Sequence, residues 1–326
     1  MTDLPEQPTL RTEGGVVLRP WNDDDVALAA RLSDDAIRTK FDAGMVRRWR
    51  EEYTFDRRVV AFAVEQDGEL AGSVEIRQLG DRRGELSWAT FAARRGRGIA
   101  TAAVRRAIAY GFEDLGLERV EARVEPDNRA SLRVATRSGM RVEGRMRSHE
   151  TADGTRRDYV LLARLAHDPD IRERDGFIGI LNSSLPRKRV ISQGLLRDER
   201  GRILLCELTY KHEWDLPGGV IEPNESPADG LLREIHEELG ISATIYGLRT
   251  VNWLPAWRGW DDACVLVFDL GTVESRYVDQ MVLQRTEIVD VHWCDVETVR
   301  ARATDVTIEL LDALAADAPP YREHGR

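Results

Sequence analysis

The sequence has few cysteines, few lysines and no long apolar run. Its three cysteines, Cys206, Cys264 and Cys294, are scattered over 326 residues. Without paired spacing they cannot form a disulfide framework, and we expect them as small buried side chains in a reducing compartment. No apolar stretch approaches the roughly 20 residues that cross a bilayer, and the N-terminus lacks the basic start and apolar core of a secretory signal. We therefore expect a cytoplasmic protein with no membrane partner.

Positive charge is scarce in the second half of the chain. Of the net charge of −10, nearly all lies in residues 168–326, which carry 18 basic and 29 acidic side chains. A sequence-independent grip on nucleic acid needs cationic side chains against phosphates, so we expect no nucleic-acid partner. An acidic half suits a site that collects divalent cations.

The length exceeds that of one ordinary domain, so two domains are expected. A charged stretch with proline and glycine follows an apolar strand near residue 167. It predicts domains at 1–167 and 186–326 joined by a linker at 168–185. Both halves alternate strand and helix patterns, which predicts a mixed α/β (α+β) class. The predicted helices include Asp23–Leu32, Arg129–Ser138 and Ser226–Leu239, and the predicted strands include Val59–Glu65, Leu70–Leu79, Glu85–Phe91, Arg189–Arg197, Ile203–Leu208 and Ala243–Val251.

The most informative stretch is GVIEPNESPADGLLREIHEELGI, residues 219–241. Ser226 can cap its helix, Pro227 suits the first helical position and Gly240 ends it. At 100° per residue, its glutamates at 234, 237 and 238 fall within an arc of about 100°. Three carboxylates on one face repel each other unless a cation lies among them, and a hard divalent ion relieves that repulsion.

This stretch resembles the Nudix box at every defined position, and the resemblance covers roughly residues 186–300. It implies an α/β/α sandwich that hydrolyses a nucleoside diphosphate linked to another moiety, with Mg²⁺ or Mn²⁺ as cofactor. The implied metal ligands are Glu237, Glu238, Glu234 and the carbonyl of Gly218 or Gly219. Glu234 also resembles the general base, and Glu287 resembles a later acidic ligand or base. Glu225 and Arg233 are assigned to an internal ion pair. A solvated glutamate-rich helix is the alternative, and Trp253, Trp257 and Trp260 are suited either to stacking on a base or to packing.

In the first half, RRGRGIA lies between a predicted strand and a helix. Glycines let a backbone approach an anion, and the free N–H groups of a helix start point at it. With VVLRPW before it and PDNRASLRVATRSGM after it, the turn resembles the GNAT acetyltransferases over most of residues 10–166. That resemblance implies a mixed sheet with helices and an acetyl-CoA site. The residues implied at the cofactor are Arg95, Gly96, Arg97, Gly98, Ile99, Ala100 and Asn128.

The catalytic group of the first half is left open by the sequence. Many GNAT members carry a tyrosine after the asparagine, and here the matching segment offers Thr136. Glu85 is the candidate base, with a surface ion pair to an arginine as the equal alternative. His149 and Tyr159 are further candidates.

We therefore interpret the chain as bifunctional. The first half would transfer an acetyl group to an amine or a protein N-terminus, and the second half would carry out Nudix hydrolysis. A second hypothesis makes the GNAT half a regulatory module that binds CoA or a nucleotide. A third makes the Nudix half a metal-independent ligand sensor. The sequence allows a homodimer.

Overall fold

The computed structural model describes residues 6–34, 37, 42–56, 58–151, 154–257, 259–316 and 318–324. The chain divides into two compact units, Met1–Leu185 and Pro186–Arg326. The segment for which the sequence predicts a linker, 168–185, contains a helix and falls within the first unit. The domain bounds 1–167 and 186–326 stay a prediction.

The first unit combines eight strands with five helices among its described residues. The helices are α1 (Asp23–Leu32), α2 (Ala43–Asp56), α3 (Ile99–Glu113), α4 (Arg129–Arg137) and α5 (Arg174–Ser184). The strands are β1 (Leu10–Arg11), β2 (Val16–Pro20), β3 (Val59–Gln66), β4 (Glu69–Gly80), β5 (Arg83–Thr90), β6 (Arg119–Val124), β7 (Arg141–Glu150) and β8 (Arg156–Leu165).

The strands form one sheet in the order β1-β2-β3-β4-β5-β6-β8-β7. Neighbours are antiparallel except β5 and β6, which run parallel and pair only over Arg83–Glu85 and Arg119–Glu121. Side chains alternate across the sheet, so Phe62 on β3 joins the core beneath α3 while Ala61 joins the core beneath α1 and α2. The result is a mixed sheet covered by helices on both faces, as the resemblance implied.

Close packing of β4 against β5 depends on Gly72. A Cβ atom built there would lie 2.1 Å from the carbonyl oxygen of Ala89. We expect Gly72→Ala to lower the free energy of unfolding of the first unit by about 3 kcal/mol, because the backbones must move apart. Urea denaturation followed by circular dichroism measures this. Gly144→Ala is the matched control, since its Cβ position has no neighbour within 4 Å in the part of the chain that the structure describes. Equal midpoints for the two variants would contradict the packing argument.

The second unit combines three helices with seven strands in its described part. The helices are α6 (Pro227–Leu239), α7 (Val296–Arg302) and α8 (Asp305–Ala315). The strands are β9 (Arg189–Asp198), β10 (Ile203–Leu208), β11 (Gly218–Val220), β12 (Gly247–Leu254), β13 (Ala263–Val273), β14 (Ile288–Cys294) and β15 (Tyr321–Glu323).

These strands form a sheet in the order β14-β10-β9-β13-β12-β15, with β11 added to β9. Consecutive residues face opposite layers: Leu196 packs with α6, and Leu195 packs with α7 and α8. The unit is therefore an α/β/α sandwich. In neither unit does a helix of the described residues have both the length and the apolar character of a membrane span.

Candidate active sites

The helix α6 begins and ends where the sequence predicts. The Ser226 hydroxyl accepts a hydrogen bond from the Asp229 N–H at 3.1 Å, Pro227 occupies the first turn, and Gly240 adopts φ +67° after the last turn. Leu231, Ile235 and Leu239 are buried against the sheet. This seating fixes the rotation of the helix, and with it the direction of the glutamates at 234, 237 and 238.

Two glycines bring the backbone against these carboxylates. Gly218, at φ +129°, donates its N–H to Glu238 Oε2 at 3.1 Å. A Cβ atom at Gly219 would lie only 2.5 Å from Glu234 Cδ. A side chain at Gly219 would push Glu234 away, and a Cβ atom at Gly218 would lie 2.2 Å from the Ser192 carbonyl oxygen of β9, so both glycines are required by close approaches.

The second unit gathers negative charge around Glu238. This side chain is 6% exposed, and burial raises its pKa to about 7 although the Gly218 N–H opposes that shift. The charges of Glu234 and Glu287 contribute to that raised pKa, and burial also raises the pKa of Glu234. Glu287 reaches this place because a turn anchors it: the Gln284 N–H donates to the Glu238 carbonyl at 2.9 Å, and the Glu287 N–H donates to the Gln284 carbonyl at 3.0 Å.

The Arg233 side chain supplies positive charge beside the glutamates of α6. Its guanidinium pairs with both carboxylate oxygens of Glu225, at 2.9 and 3.1 Å, which confirms the predicted ion pair. The same group also donates to Glu234 at 3.0 Å and to Glu237 at 3.1 Å. These two contacts were not predicted. They give Arg233 an electrostatic role in addition to its role in fixing the loop.

The donor set suits a hard divalent ion. Carboxylate oxygens and backbone carbonyls are the ligands that Mg²⁺ and Mn²⁺ prefer, and the buried, uncompensated Glu238 lies among further acids. As placed, no three His, Cys, Asp or Glu groups of the described residues enclose an ion position. Arg233 binds Glu234 and Glu237 instead, so an entering cation would draw both from the guanidinium.

Removal of the Arg233 guanidinium should destabilise the metal-free protein. We expect Arg233→Met to lower the free energy of unfolding of the second unit by about 1–2 kcal/mol, because three carboxylates lose their counterion. Added Mg²⁺ should recover part of this loss. Thermal melts with and without the ion measure both effects. Arg300→Met, which breaks an exposed pair with Asp312, is the control and should change little; equal losses in both variants would show that Arg233 is only a surface ion pair.

In the first unit, the predicted anion turn joins β5 to α3. Gly96 and Gly98 have φ +77° and +79°, and no atom of the described residues lies within 4 Å of either Cβ position. Arg95 fixes the turn by donating to Asp34 at 2.7 and 2.8 Å and to the Thr90 carbonyl at 3.0 Å. The first N–H groups of α3 are thus open for an anion.

Asn128 and Thr136 both make local hydrogen bonds. The Asn128 carboxamide oxygen accepts from the Ser131 N–H at 3.0 Å and thereby caps α4. The Thr136 hydroxyl donates to the Leu132 carbonyl of its own helix at 3.0 Å. Contact of Asn128 with a cofactor stays a prediction, for which its amide nitrogen is the suitable group.

Glu85, His149 and Tyr159, the candidate catalytic residues of the first unit, lie together around Arg123. Its Nε donates to Glu85 Oε1 at 2.7 Å, its Nη2 contacts the other oxygen, and its Nη1 lies 2.6 Å from His149 Nε2. The His149 ring meets the Tyr159 ring edge-on at 5.9 Å. The sequence left an arginine pair as one reading of Glu85, and this pair is present. Glu85 is also the last β5 residue paired with β6, so the cluster lies where those strands part.

Comparison with known proteins assigns both units. Residues 16–141 match the model of the acetyltransferase (GNAT) domain, and residues 187–314 match the model of the NUDIX domain. The chain belongs to the Nudix family through its second unit (Pro186–Arg326), called the Nudix unit below, and its first unit (Met1–Leu185), called the GNAT unit, matches the GNAT domain model. Nudix hydrolases and GNAT acetyltransferases are enzyme families, so the prediction of an enzyme and of both resemblances is confirmed.

Several individual proteins are similar to one or the other unit. The Nudix unit is similar to a MutT-like protein of Streptomyces ambofaciens, 34% identical over 145 residues, which cover 44% of this chain and 87% of that protein. The GNAT unit is similar to the probable N-acetyltransferase YjcK of Bacillus subtilis, 35% identical over 125 residues, 37% of this chain and 65% of that protein. Among solved structures, Mycobacterium smegmatis RimJ in complex with CoA-disulfide is 26% identical, with 54% of this chain and 92% of that chain covered and a TM-score of 0.44.

Sequence reasoning missed Asp215 in the Nudix unit. Its Oδ1 accepts from Gln193 Nε2 at 3.0 Å and from the Thr307 hydroxyl at 2.8 Å, and Lys211 Nζ lies 2.7 Å from Oδ2. Its negative charge contributes to the raised pKa of Glu238. The sequence feature that could have pointed to Asp215 is its position three residues before Gly218. Arg123 was missed because its partner Glu85 lies 38 residues away.

Proposed function

We propose that the Nudix unit hydrolyses the diphosphate bond of a nucleoside diphosphate linked to another moiety, with Mg²⁺ or Mn²⁺. The observation that carries this proposal is the buried Glu238, held by the Gly218 N–H beside Glu234 and Glu287. A buried acid among further acids is costly unless a cation joins it. When bound, a divalent cation neutralises the diphosphate and activates water for in-line attack.

Different residues of the Nudix unit are proposed to bind the metal, accept a proton and fix the loop. Glu237 and Glu238 are proposed as the main ligands, with a carbonyl at Gly218 or Gly219. Glu234, or in its place Glu287, is proposed as the acceptor of the proton of the attacking water. Arg233 and Glu225 keep the loop in place through their paired hydrogen bonds.

Hydrolysis by the full chain tests this proposal. Nucleoside diphosphate sugars, dinucleoside polyphosphates and nucleoside triphosphates would be incubated with and without Mg²⁺, and products would be resolved by chromatography. We expect diphosphate cleavage that stops on chelation. Turnover that persists in excess chelator would contradict metal dependence, and binding without cleavage would favour a ligand sensor.

We further propose that the GNAT unit transfers an acetyl group from acetyl-CoA to an amine or a protein N-terminus. The turn at Gly96 and Gly98 supports this, since both backbones are left-handed and open to a bulky anion. The proposed cofactor contacts are the backbone N–H groups of Gly96–Ala100, with Asn128 and the side chains of Arg95 and Arg97. Glu85 is proposed as the base, with Arg123 orienting its carboxylate.

A regulatory role of the GNAT unit is the second candidate. It is favoured by the Thr136 hydroxyl, which bonds to its own helix, and by the arginine that occupies both oxygens of Glu85. Acetyl transfer to polyamines and N-terminal peptides, measured by thiol release, separates the two candidates. Binding of acetyl-CoA without transfer to any acceptor would select the regulatory role.

A further inference from the structure

The loop that joins β10 to β11 is tied at both ends to residues of the proposed hydrolase site. At its start, the Thr209 N–H donates a hydrogen bond to the Glu287 carbonyl at 2.9 Å. At its far end, Asp215 lies three residues before Gly218, whose N–H binds Glu238 at 3.1 Å. The residues between these two anchors therefore lie beside the acids of the site.

The first two residues after the start of this loop are Tyr210 and Lys211. Tyr210 is exposed, yet burial of its hydroxyl raises its pKa, and the charges of Glu238 and Glu287 contribute to that shift. Lys211 follows directly, and its ammonium lies 2.7 Å from Asp215 Oδ2. The loop thus holds a cation at the edge of the acidic cluster.

Asp215 stays hydrogen-bonded without Lys211. Its Oδ1 accepts from Gln193 Nε2 at 3.0 Å, from the Thr307 hydroxyl at 2.8 Å and from the Leu216 N–H at 2.9 Å. Lys211 contacts the other oxygen. An ammonium on a flexible stem is a compact charge with rotatable donors. Lys211 can therefore exchange Asp215 for another anion while Asp215 keeps its remaining partners.

Arg233 is less free to change partners. Its guanidinium binds both oxygens of Glu225 and also contacts Glu234 and Glu237. A diphosphate brings further negative charge beside these acids, and a hydrogen bond from a cationic side chain to phosphate is among the strongest in proteins. Lys211, which is held by one carboxylate oxygen, is the cation suited to make that bond.

We propose that Lys211 binds a phosphate oxygen of the diphosphate substrate, and that Asp215 positions its ammonium when no substrate is bound. This inference rests on the proposed hydrolase function and adds a substrate-binding residue that lies outside α6. An ammonium recognises phosphate as a point charge. Its contribution should therefore be similar for every diphosphate, whatever group the diphosphate carries.

The test is a calorimetric titration of methylenediphosphonate, a diphosphate analogue that resists hydrolysis, into the full chain with Mg²⁺. We expect Lys211→Met to bind it about 10-fold or more weakly, because a charged hydrogen bond is lost. Lys211→Arg keeps the charge and should stay within about 3-fold of wild type. In hydrolysis, KM for nucleoside diphosphate sugars and for dinucleoside polyphosphates should rise by a similar factor in Lys211→Met.

Asp215→Asn distinguishes exchange of partners from a structural role of the ion pair. The asparagine oxygen can still accept from Gln193 and Thr307, but the charge that holds Lys211 is gone. Affinity for methylenediphosphonate should therefore rise, by about 3-fold, and most of this gain should disappear when Lys211→Met is added. Weaker binding in Asp215→Asn would overturn the exchange.

Lys188→Met is the matched control. Lys188 also pairs with an aspartate, Asp262, but it lies just before the start of β9, so its removal should leave the affinity unchanged. Wild-type affinity in Lys211→Met, or an equal loss in Lys188→Met, would overturn the proposal. Thermal melts of each variant confirm that it is folded.

The binding measurement also separates this inference from the hydrolase function. If wild type cleaves no diphosphate, the hydrolase proposal fails, and the methylenediphosphonate titrations alone support or refute the role of Lys211. If wild type cleaves diphosphates and Lys211→Met cleaves them with an unchanged KM, the hydrolase proposal stands and the role of Lys211 is refuted.

Discussion

Replacement of Glu238 by glutamine should abolish diphosphate hydrolysis, with kcat falling about 1,000-fold or more, equivalent to about 4 kcal/mol of lost transition-state stabilisation. The glutamine side chain would keep the size of the glutamate and could still accept from the Gly218 N–H. It would remove the charge that a divalent cation needs. The loss should therefore appear in metal-dependent turnover and not in folding. Steady-state hydrolysis over a Mg²⁺ titration measures it.

Stability and the other unit supply the controls for this variant. Because Glu238 is 6% exposed and burial opposes its charged form, the metal-free variant should melt no lower than wild type. Acetyl-CoA should bind the GNAT unit unchanged. Glu297→Gln, an exposed glutamate at the start of α7, should retain full hydrolysis. Wild-type turnover by Glu238→Gln would refute the proposed site.

Elements with strong local signals were predicted well from the sequence. The observed α1 coincides with the predicted Asp23–Leu32, because Asn22 and Asp25 form a reciprocal cap. The strands β3 and β4 lie close to the predicted Val59–Glu65 and Leu70–Leu79, because the Asp67-Gly68 turn joins them as a hairpin. The helix α6 starts after a serine cap and ends at a left-handed glycine. In each case a few adjacent residues determine the element.

Elements that depend on distant partners were missed. The three residues of β11 include the paired glycines and become a strand only by pairing with β9, and β15 forms only against β12. The helix α5 lies in the segment predicted as a linker, where glycine, asparagine and serine weaken the helical pattern. The predicted strand Ala243–Val251 is wrong in position: β12 begins at Gly247 and ends at Leu254, where its register with β13 places it.

The same limit applies to the sites. Glutamates 234, 237 and 238 share one helix, so spacing alone predicts their common face. Glu287 joins them through tertiary contacts, namely the turn at Gln284 and the hydrogen bond from the Thr209 N–H to the Glu287 carbonyl, and composition does not encode those contacts. The resemblance to a known family supplied Glu287. The contacts of Arg233 with Glu234 and Glu237 are local to α6 and were missed, although residues four apart on a helix are neighbours.

Substitution of Gly98 by glutamate should weaken acetyl-CoA binding by about 100-fold or more, the second large effect expected of this chain. Gly98 caps α3 at φ +79°, a conformation that costs other residues about 1–2 kcal/mol. Steric clash is not the cause, since none of the residues that the structure describes comes within 4 Å of the Gly98 Cβ position. The dominant cause is therefore charge: the new carboxylate would compete for the N–H groups proposed to hold the CoA diphosphate, and would repel it.

Two further variants separate the effect of the new charge at Gly98 from the effect of the added side chain. Gly98→Asn tolerates the left-handed backbone and adds bulk without charge, so we expect a loss of only a few-fold. Gly80→Glu adds the same charge at φ +85° in another open turn and should bind acetyl-CoA normally. Calorimetric titration of acetyl-CoA into each full-length variant gives the three affinities. If Gly98→Asn lost as much affinity as Gly98→Glu, the effect would come from the added side chain rather than from its charge, which would contradict the charge argument. Hydrolysis by the Nudix unit should be the same in all three, because the carboxylates that perform it lie in a unit with its own core.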